Sequence, residues 1–274
     1  MEDTHRTIFF VSDGTGITAE TIGHTLLTQF PGVRLRQARL PFVDCLEKAH
    51  DACESIKQAG VADGVRPIVV NTLVNQALTD IISQAPALVL DIFDQFIGAL
   101  EHEFGAVRQP RMGQTHGMND YHAYERRIDA TNYALTHDDG IAVSYENADV
   151  VLVGVSRSGK TPTCLYMGLQ YGVKSGNYPL TEEDLGGHRL PSILVPYKHK
   201  LFGLTIDPER LVRIREARRP GSRYADLRIC KSEVADAEAM FRIHRIPNLS
   251  TTQTSIEEIS GKILVELELE HYLF

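Results

Sequence analysis

One stretch of this sequence, residues 148–161, constrains the fold more than any other. Four apolar residues, 150–153, have the composition of a buried strand and run directly into a glycine. Residues 154–161 then fit the pattern G-x-x-x-x-G-K-[ST], and a helical apolar pattern with Leu165 and Leu169 follows. A strand, a glycine-rich loop and a helix in this order predict a phosphate-binding loop, or P-loop, in an α/β domain.

Each residue type in the predicted P-loop has a physical role in holding phosphate. Glycines let the backbone N–H groups turn toward phosphate oxygens, and the helix N-terminus adds about half a positive charge. Lys160 would reach the terminal phosphates and is the first catalytic candidate, while the Thr161 hydroxyl could hold Mg²⁺. The predicted nucleotide-binding residues are Gly154, Val155, Ser156, Arg157, Ser158, Gly159, Lys160 and Thr161. The alternative is a glycine-rich turn beside a surface lysine.

The rest of the chain predicts the fold class. Strand-like apolar runs alternate with amphipathic helical patterns through the first hundred residues, which indicates parallel strands covered by helices. We therefore expect an α/β protein with an N-terminal parallel-sheet α/β domain over 1–104. A linker loop and connecting helix over 105–147 would lead to a P-loop kinase-like α/β domain over 148–274.

A second strand–glycine loop–helix unit lies at the start of the chain. The loop reads Ser-Asp-Gly-Thr-Gly, and its hydroxyl and N–H groups could hold a phosphate or a phosphorylated side chain. On that hypothesis Ser12, Asp13 and Thr15 are phosphate- or target-binding residues. A tight turn with a hydroxyl cap explains the same residues equally well.

Two acidic positions are candidates for catalysis or for magnesium binding. Asp91 ends an apolar run, as in the second metal-holding element of P-loop enzymes, although a helix N-cap is the favoured alternative. Asp138 and Asp139 occupy a turn just before the P-loop strand, where they could ligate Mg²⁺ or accept a proton. A solvated acidic turn is the competing interpretation.

An arginine-rich segment follows the strand predicted over residues 200–206. Six arginines fall between positions 210 and 223 of a chain whose net charge is -8. Arginines of this kind can clamp a phosphoryl group during transfer, which makes Arg213 and Arg215 candidate phosphate-binding residues. A solvated basic face is the alternative.

Composition excludes several classes of protein. The chain of 274 residues is 43% hydrophobic and 23% charged, as in ordinary globular proteins. Its negative net charge and lack of a basic block argue against nucleic-acid binding, and no apolar run approaches the roughly 20 residues of a membrane span. The acidic N-terminus does not resemble a signal peptide, and four widely spaced cysteines predict free thiols. We expect a cytoplasmic protein.

Five segments of the chain form a distinctive set of motifs: 9–20, 137–140, 154–162, 203–207 and 255–258. Together they resemble the regulatory proteins of pyruvate phosphate dikinase and phosphoenolpyruvate synthase, and the similarity extends nearly end to end. The form Ser-Arg-x-x-Lys-Thr-Pro within the P-loop is more distinctive than the general pattern. The N-terminal motif is more similar to the branch that regulates the synthase.

The resemblance implies a bifunctional enzyme. Such proteins phosphorylate a threonine of the target enzyme with ADP as donor, and they remove the phosphate with inorganic phosphate, releasing pyrophosphate. Asp91, Asp138 and His116 are then candidates for the base that accepts the threonine proton. Mg²⁺ would accompany ADP, and the partner would be phosphoenolpyruvate synthase or pyruvate phosphate dikinase. A homodimer is expected because twofold pairs are the commonest oligomers.

Two other functions are compatible with the residues alone. One is a P-loop kinase that phosphorylates a small metabolite with ATP, and the other is a nucleotide-sensing adaptor without catalysis. The P-loop by itself indicates phosphate binding and does not distinguish these functions.

Overall fold

The computed structural model describes residues 6–109, 121–138 and 144–269. The chain divides into two compact units, Met1–Gly117 and Met118–Phe274. The strands are β1 Arg6–Val11, β2 Leu35–Leu40, β3 Ile68–Asn71, β4 Leu88–Asp91, β5 Val150–Val155, β6 Ser175–Leu180, β7 Leu201–Thr205 and β8 Asn248–Ser250. The α-helices are α1 Ile17–Leu27, α2 Leu46–Asp63, α3 Gln76–Ile82, α4 Ile92–Phe104, α5 Tyr121–Thr136, α6 Lys160–Tyr171, α7 Glu182–Leu185, α8 Pro208–Arg218, α9 Leu227–His244 and α10 Ile256–Glu266.

The first unit contains a four-stranded parallel sheet in the order β2-β1-β3-β4. Side chains of the inner strand β1 alternate between the two faces of the sheet, as the period of two in a strand requires. Phe9 and Val11 of β1 belong to one apolar cluster, which includes residues of α2 and α3. Ile8 and Phe10 belong to a second cluster, which includes Ala19 of α1. Both faces of the sheet are thus covered, which explains why β1 is apolar at successive positions.

The second unit contains another four-stranded parallel sheet, in the order β6-β5-β7-β8. All residues of β5 are buried. Val151 and Val153 pack in a cluster with apolar residues of α9, and Val150 and Leu152 pack in a cluster with residues of α6 and α10. The two sheets confirm the predicted α/β class and its two parallel-sheet regions.

Helix α5 falls within the predicted connecting segment, yet it is part of the second unit. It packs along α6, where Gly168 allows the two backbones to approach closely. A Cβ atom at Gly168 would lie 3.0 Å from the backbone carbon of Ala130. The structure therefore puts the start of the second unit ahead of α5, about 30 residues before the predicted position 148.

Two further predictions concern the chain as a whole. All four cysteines are free thiols, as predicted. Within the three described ranges, no helix has both the length and the apolar composition needed to cross a membrane.

Candidate functional site

The 154–161 loop begins at the carboxyl end of β5 and leads into α6 at Lys160. Strand β5 lies between β6 and β7, and the chain passes from β5 to one neighbour and later returns to the other. The loop therefore starts where the strand order reverses, at the sheet edge where open α/β sheets hold their ligands. The predicted strand–loop–helix arrangement is present.

Two glycines allow the backbone path of this loop, each for a different reason. A Cβ atom at Gly154 would lie only 2.3 Å from the Leu204 carbonyl oxygen, so the approach of β7 excludes any side chain. Gly159 has a φ of 90°, a left-handed conformation that is unfavourable for residues with a Cβ atom. Its surroundings are open, since a Cβ atom at this position would have Cγ2 of Thr251, at 3.9 Å, as its nearest neighbour.

Polar groups are concentrated where the loop meets α6. Lys160 is only 4% exposed, and its Nζ donates a hydrogen bond to the Val155 carbonyl oxygen at 2.9 Å. Gly159, the N-cap of α6, supplies no side-chain cap, so the N–H groups of the first turn keep their capacity to bind an anion. The Ser158 hydroxyl is fully buried and has no hydrogen-bond partner within the described ranges. Buried polar atoms without partners are rare in folded proteins and often belong to ligand sites.

Asp138 lies beside the loop. Thr161 donates a hydrogen bond from Oγ1 to Asp138 Oδ1 at 2.8 Å, and the Asn177 amide donates to the same carboxylate oxygen. The Asn177 amide also lies 3.0 Å from Thr161 Oγ1, and its carbonyl oxygen is buried without a partner in the described part of the chain. Among the predicted acids within the described residues, Asp138 is the one that the structure brings to the loop. Asp139 and His116 lie outside the described residues.

This group also fits the predicted magnesium ion. A carboxylate, an amide oxygen and a hydroxyl are the oxygen ligands that Mg²⁺ prefers. The Thr161 hydroxyl has two lone pairs, and Asn177 occupies one of them. The second lone pair of Thr161 is thus open to a metal ion, and Thr161 and Asp138 are the residues that could hold it.

Arg215 does not have the role predicted for it. Its side chain is fully buried, and Nη2 donates to the Ser156 carbonyl oxygen at 3.1 Å and to Glu233 at 2.6 Å. Nη1 donates to the Tyr224 carbonyl oxygen, and the guanidinium stacks on the Tyr224 ring at 4.0 Å. Arg215 therefore supports the loop from within the protein and is not accessible to a substrate phosphate. Arg213, on the same helix, is exposed.

Cys164, which follows the loop in sequence, has an unreactive thiol. Cys164 lies in α6, one turn beyond Lys160, and its side chain is 1% exposed. Burial, together with the nearby charge of Asp138, raises the pKa of this thiol well above its usual value. Cys164 is therefore a neutral packing residue at neutral pH and not a thiolate nucleophile.

The remaining candidates belong to the first unit. Asp91 is the N-cap of α4, accepting a hydrogen bond from the Asp94 N–H at 2.9 Å, and its other oxygen accepts from Asn71 at 2.8 Å. Its strand pairs with β3 in the first sheet and not with β5, so the cap interpretation is confirmed and the comparison with a second P-loop element is wrong.

The loop that follows β1 is held by a turn within itself and by hydrogen bonds to the segments after β2 and β3. The Ser12 hydroxyl accepts from the Gly14 N–H at 3.1 Å, and Asp13 accepts from the Val74 N–H at 3.2 Å. Thr15 is exposed. These contacts agree with the turn interpretation, while binding of a phosphate or target by Ser12, Asp13 and Thr15 stays a prediction.

Sequence reasoning missed three residues that shape the site. Asn177 is an ordinary polar residue in an extended segment, and neither Tyr224 nor Glu233 is part of a motif. Tyr224 donates from its hydroxyl to Ser156 Oγ at 2.8 Å. The contact joins residues 68 positions apart, and no local pattern could have indicated it.

Comparison with known proteins gives consistent matches over the whole chain. A family model described as kinase/pyrophosphorylase matches residues 8–264. Proteins from Stenotrophomonas maltophilia (strain K279a), Xylella fastidiosa (strain M12) and Xanthomonas campestris pv. campestris (strain B100) are 60%, 58% and 56% identical to the chain over 271 residues. Each alignment covers 99% of this chain and 99% of the relative, and each relative is named "Putative phosphoenolpyruvate synthase regulatory protein".

Proposed function

Because this chain belongs to the kinase/pyrophosphorylase family, we propose that it is a bifunctional regulator of phosphoenolpyruvate synthase. In one direction it transfers a phosphoryl group from ADP to a threonine of the synthase, which inactivates that enzyme. In the other direction it removes the group with inorganic phosphate and restores activity. The names of the relatives favour the synthase over pyruvate phosphate dikinase as the target, and a cytoplasmic location follows from such a partner.

The observation that carries this proposal is the arrangement of charges around the 154–161 loop. A buried lysine, uncapped N–H groups at the start of α6 and the carboxylate of Asp138 lie at one edge of the second sheet. Phosphoryl transfer needs positioning and positive charge more than covalent chemistry, and the lysine and the helix start supply both. A small-metabolite kinase would use the same loop, but the relatives' names refer to regulation of an enzyme.

In the kinase direction, the target threonine oxygen attacks the β-phosphorus of ADP. The bond between that phosphorus and the oxygen that bridges to the α-phosphate breaks, and AMP leaves. We assign Asp138 to accept the proton of the threonine hydroxyl, because it is the predicted base that contacts the loop. Lys160 and the loop N–H groups stabilise the charge on the migrating group.

In the other direction, an oxygen of inorganic phosphate attacks the phosphorus of phosphothreonine. The bond from that phosphorus to the threonine oxygen breaks, pyrophosphate leaves, and the threonine oxygen regains a proton. In both directions the transferred phosphoryl group lies in line between the threonine oxygen and an oxygen of a second phosphate, so the groups that hold the phosphates of ADP in one direction can hold the attacking phosphate in the other. Mg²⁺, held by Thr161, would neutralise charge on the phosphate oxygens when bound, which leaves Asp138 as the base.

The proposed activity predicts a defined pair of products in each direction. Incubating ADP labelled in its β-phosphate with the synthase should move the label to a threonine and release AMP. Phosphorylated synthase and inorganic phosphate should then give pyrophosphate and recovered synthase in a one-to-one ratio. Orthophosphate released from phosphothreonine in phosphate-free buffer would instead indicate a plain phosphatase. ADP binding without any transfer of label would favour the nucleotide-sensing adaptor.

Replacing Gly159 with alanine tests whether the loop binds ADP. The site has room for a methyl group, but a left-handed backbone costs about 1–2 kcal/mol for residues other than glycine, so the loop should change its path. We expect ADP affinity, measured by titration calorimetry, to fall by tenfold or more, while the melting temperature falls by only a few degrees. Gly221→Ala is the matched control, because that residue is also left-handed (φ 68°) with open surroundings but lies outside the loop. Normal ADP binding by Gly159→Ala would mean that the loop is only a turn.

A further inference from the structure

The backbone of Arg157 is unusual for an arginine. Its φ of 76° lies in the left-handed region, within the 154–161 loop and before the N-cap of α6. A residue with a Cβ atom pays about 1–2 kcal/mol for this conformation, and glycine would avoid the cost. A left-handed arginine also ends α9 at Arg245, where such a conformation is common at helix C-termini. Arg157 is not at a helix C-terminus, so its side chain is the better explanation for its presence.

A side-chain hydrogen bond brings the backbone of Arg157 near that of a second arginine, Arg223. The hydrogen bond from the Tyr224 hydroxyl to Ser156 Oγ joins the loop to a short 3₁₀ helix, Arg223–Ala225. Arg157 follows Ser156 and Arg223 precedes Tyr224, so this contact and those of the buried Arg215 hold the backbone of both arginines close to the Ser156–Tyr224 pair. Both arginines are exposed.

The charges of Arg157 and Arg223 are not compensated by the described part of the chain. Neither side chain makes a hydrogen bond or an ion pair there, whereas the buried Arg215 is neutralised by Glu233. In a chain with net charge -8, the two exposed guanidinium groups add uncompensated positive charge to the protein surface at the segments that the Ser156–Tyr224 contact joins. Guanidinium groups bind phosphate through paired hydrogen bonds, so the chemistry of this surface fits a phosphate group.

We propose that Arg157 and Arg223 bind the phosphate of phosphothreonine on the protein substrate, and not the phosphates of ADP. This inference rests on the proposed function. ADP is assigned to the interior of the loop, where Lys160 is 4% exposed, while the two arginines are open to a macromolecule that arrives from solvent. An unphosphorylated threonine offers these arginines no charge. They therefore serve the phosphate-dependent direction more than the kinase direction.

The test separates the effect of the Arg157 guanidinium from the effect of its backbone conformation. Arg157→Gly removes the guanidinium and suits the left-handed backbone, so the variant should fold at least as well as the wild type. We expect KM for the phosphorylated synthase to rise about tenfold in the phosphate-dependent reaction, since a hydrogen bond to a charged group is lost. The Kd for ADP should stay within about twofold of the wild-type value. Arg223→Ala should act in the same direction, and Arg157→Lys should give an intermediate KM.

Arg245→Gly is the matched control. It removes one exposed arginine from a left-handed backbone (φ 53°), and it lies just before β8, at the opposite edge of the sheet from the loop. We expect it to change neither KM nor Kd. An equal loss of ADP affinity in Arg157→Gly would overturn the inference by showing that Arg157 binds the nucleotide, and an unchanged KM would overturn it too. A wild-type chain with no transfer in either direction would overturn the proposed function, and this inference with it.

Discussion

Replacing Lys160 with alanine is expected to lower the rate of phosphoryl transfer by about 10² or more in both directions. In the proposed function both reactions move negative charge through the same loop, and Lys160 is the one lysine of that loop. Deleting a preorganised charge in a partly dehydrated site typically has an effect of this size. The measurement is the initial rate of label transfer from ADP and of pyrophosphate formation, at saturating protein substrate.

A loss of activity in this variant must be separated from a loss of structure. Lys160 is buried and donates a hydrogen bond to the Val155 carbonyl oxygen, so alanine also leaves that oxygen without this donor. Lys160→Met also lacks the donor to Val155 but keeps most of the apolar side chain, so its melting temperature should fall by only a few degrees while activity is lost. Lys262→Ala, which removes an exposed lysine paired with Glu258 on α10, should behave as wild type. A near-normal rate in Lys160→Met would show that the loop is not the site of transfer.

Replacing Arg215 with alanine is expected to cost about 3–5 kcal/mol of stability in the second unit. The guanidinium is fully buried, and its partner Glu233 is only 16% exposed at the side chain. Alanine would leave the carboxylate largely buried without its counter-charge, and it would free the Ser156 carbonyl oxygen and the Tyr224 ring. Urea unfolding, followed by hydrogen exchange of the β5 amides, reports the change in this unit.

A charge-free replacement distinguishes the stabilising role of Arg215 from its positioning role. The double variant Arg215→Met, Glu233→Leu exchanges the ion pair for apolar side chains, which often restores stability at buried sites. It cannot restore the hydrogen bond to Ser156. We therefore expect phosphoryl transfer to be impaired in both Arg215→Ala and the double variant, while the urea midpoint of the double variant returns toward the wild-type value. Arg213→Ala, on the exposed side of the same helix, should change stability by less than about 0.5 kcal/mol. Full activity in the double variant would mean that Arg215 only stabilises the fold.

The features predictable from sequence are those that depend on local pattern. The apolar run that becomes β5, the glycines and the lysine of the loop are contiguous, and the period of the side chains reveals the helix after them. Asp91 shows the limit of this approach. A strand-ending carboxylate can cap a helix or hold a metal, and only the pairing of its strand with β3 decides between the two.

The burial of a charged side chain could not be predicted from local sequence pattern. Arg215 belongs to an arginine-rich helix that looks solvated as a whole, yet this one side chain lies beneath Tyr224 and is fully buried. Asp138 and Thr161 likewise meet across 23 positions of sequence, and both are hydrogen-bonded to Asn177 of β6. Both arrangements need long-range packing, which determines where a charged side chain lies and hence what it can do.

The support of Ser156 by Arg215 and Tyr224 also has a consequence for how the protein is made. The two hydrogen bonds connect Ser156 to residues 59 and 68 positions later in the chain. During synthesis at about 5–20 residues per second, several seconds pass after the glycine-rich motif is made before those partners exist. A nascent chain that ends before Arg215 contains the whole motif and lacks the groups that hold its first turn. If the loop binds nucleotide as proposed, this ability should appear only after Arg215 and Tyr224 have been synthesised, and a chain released before them would carry the motif without these supports.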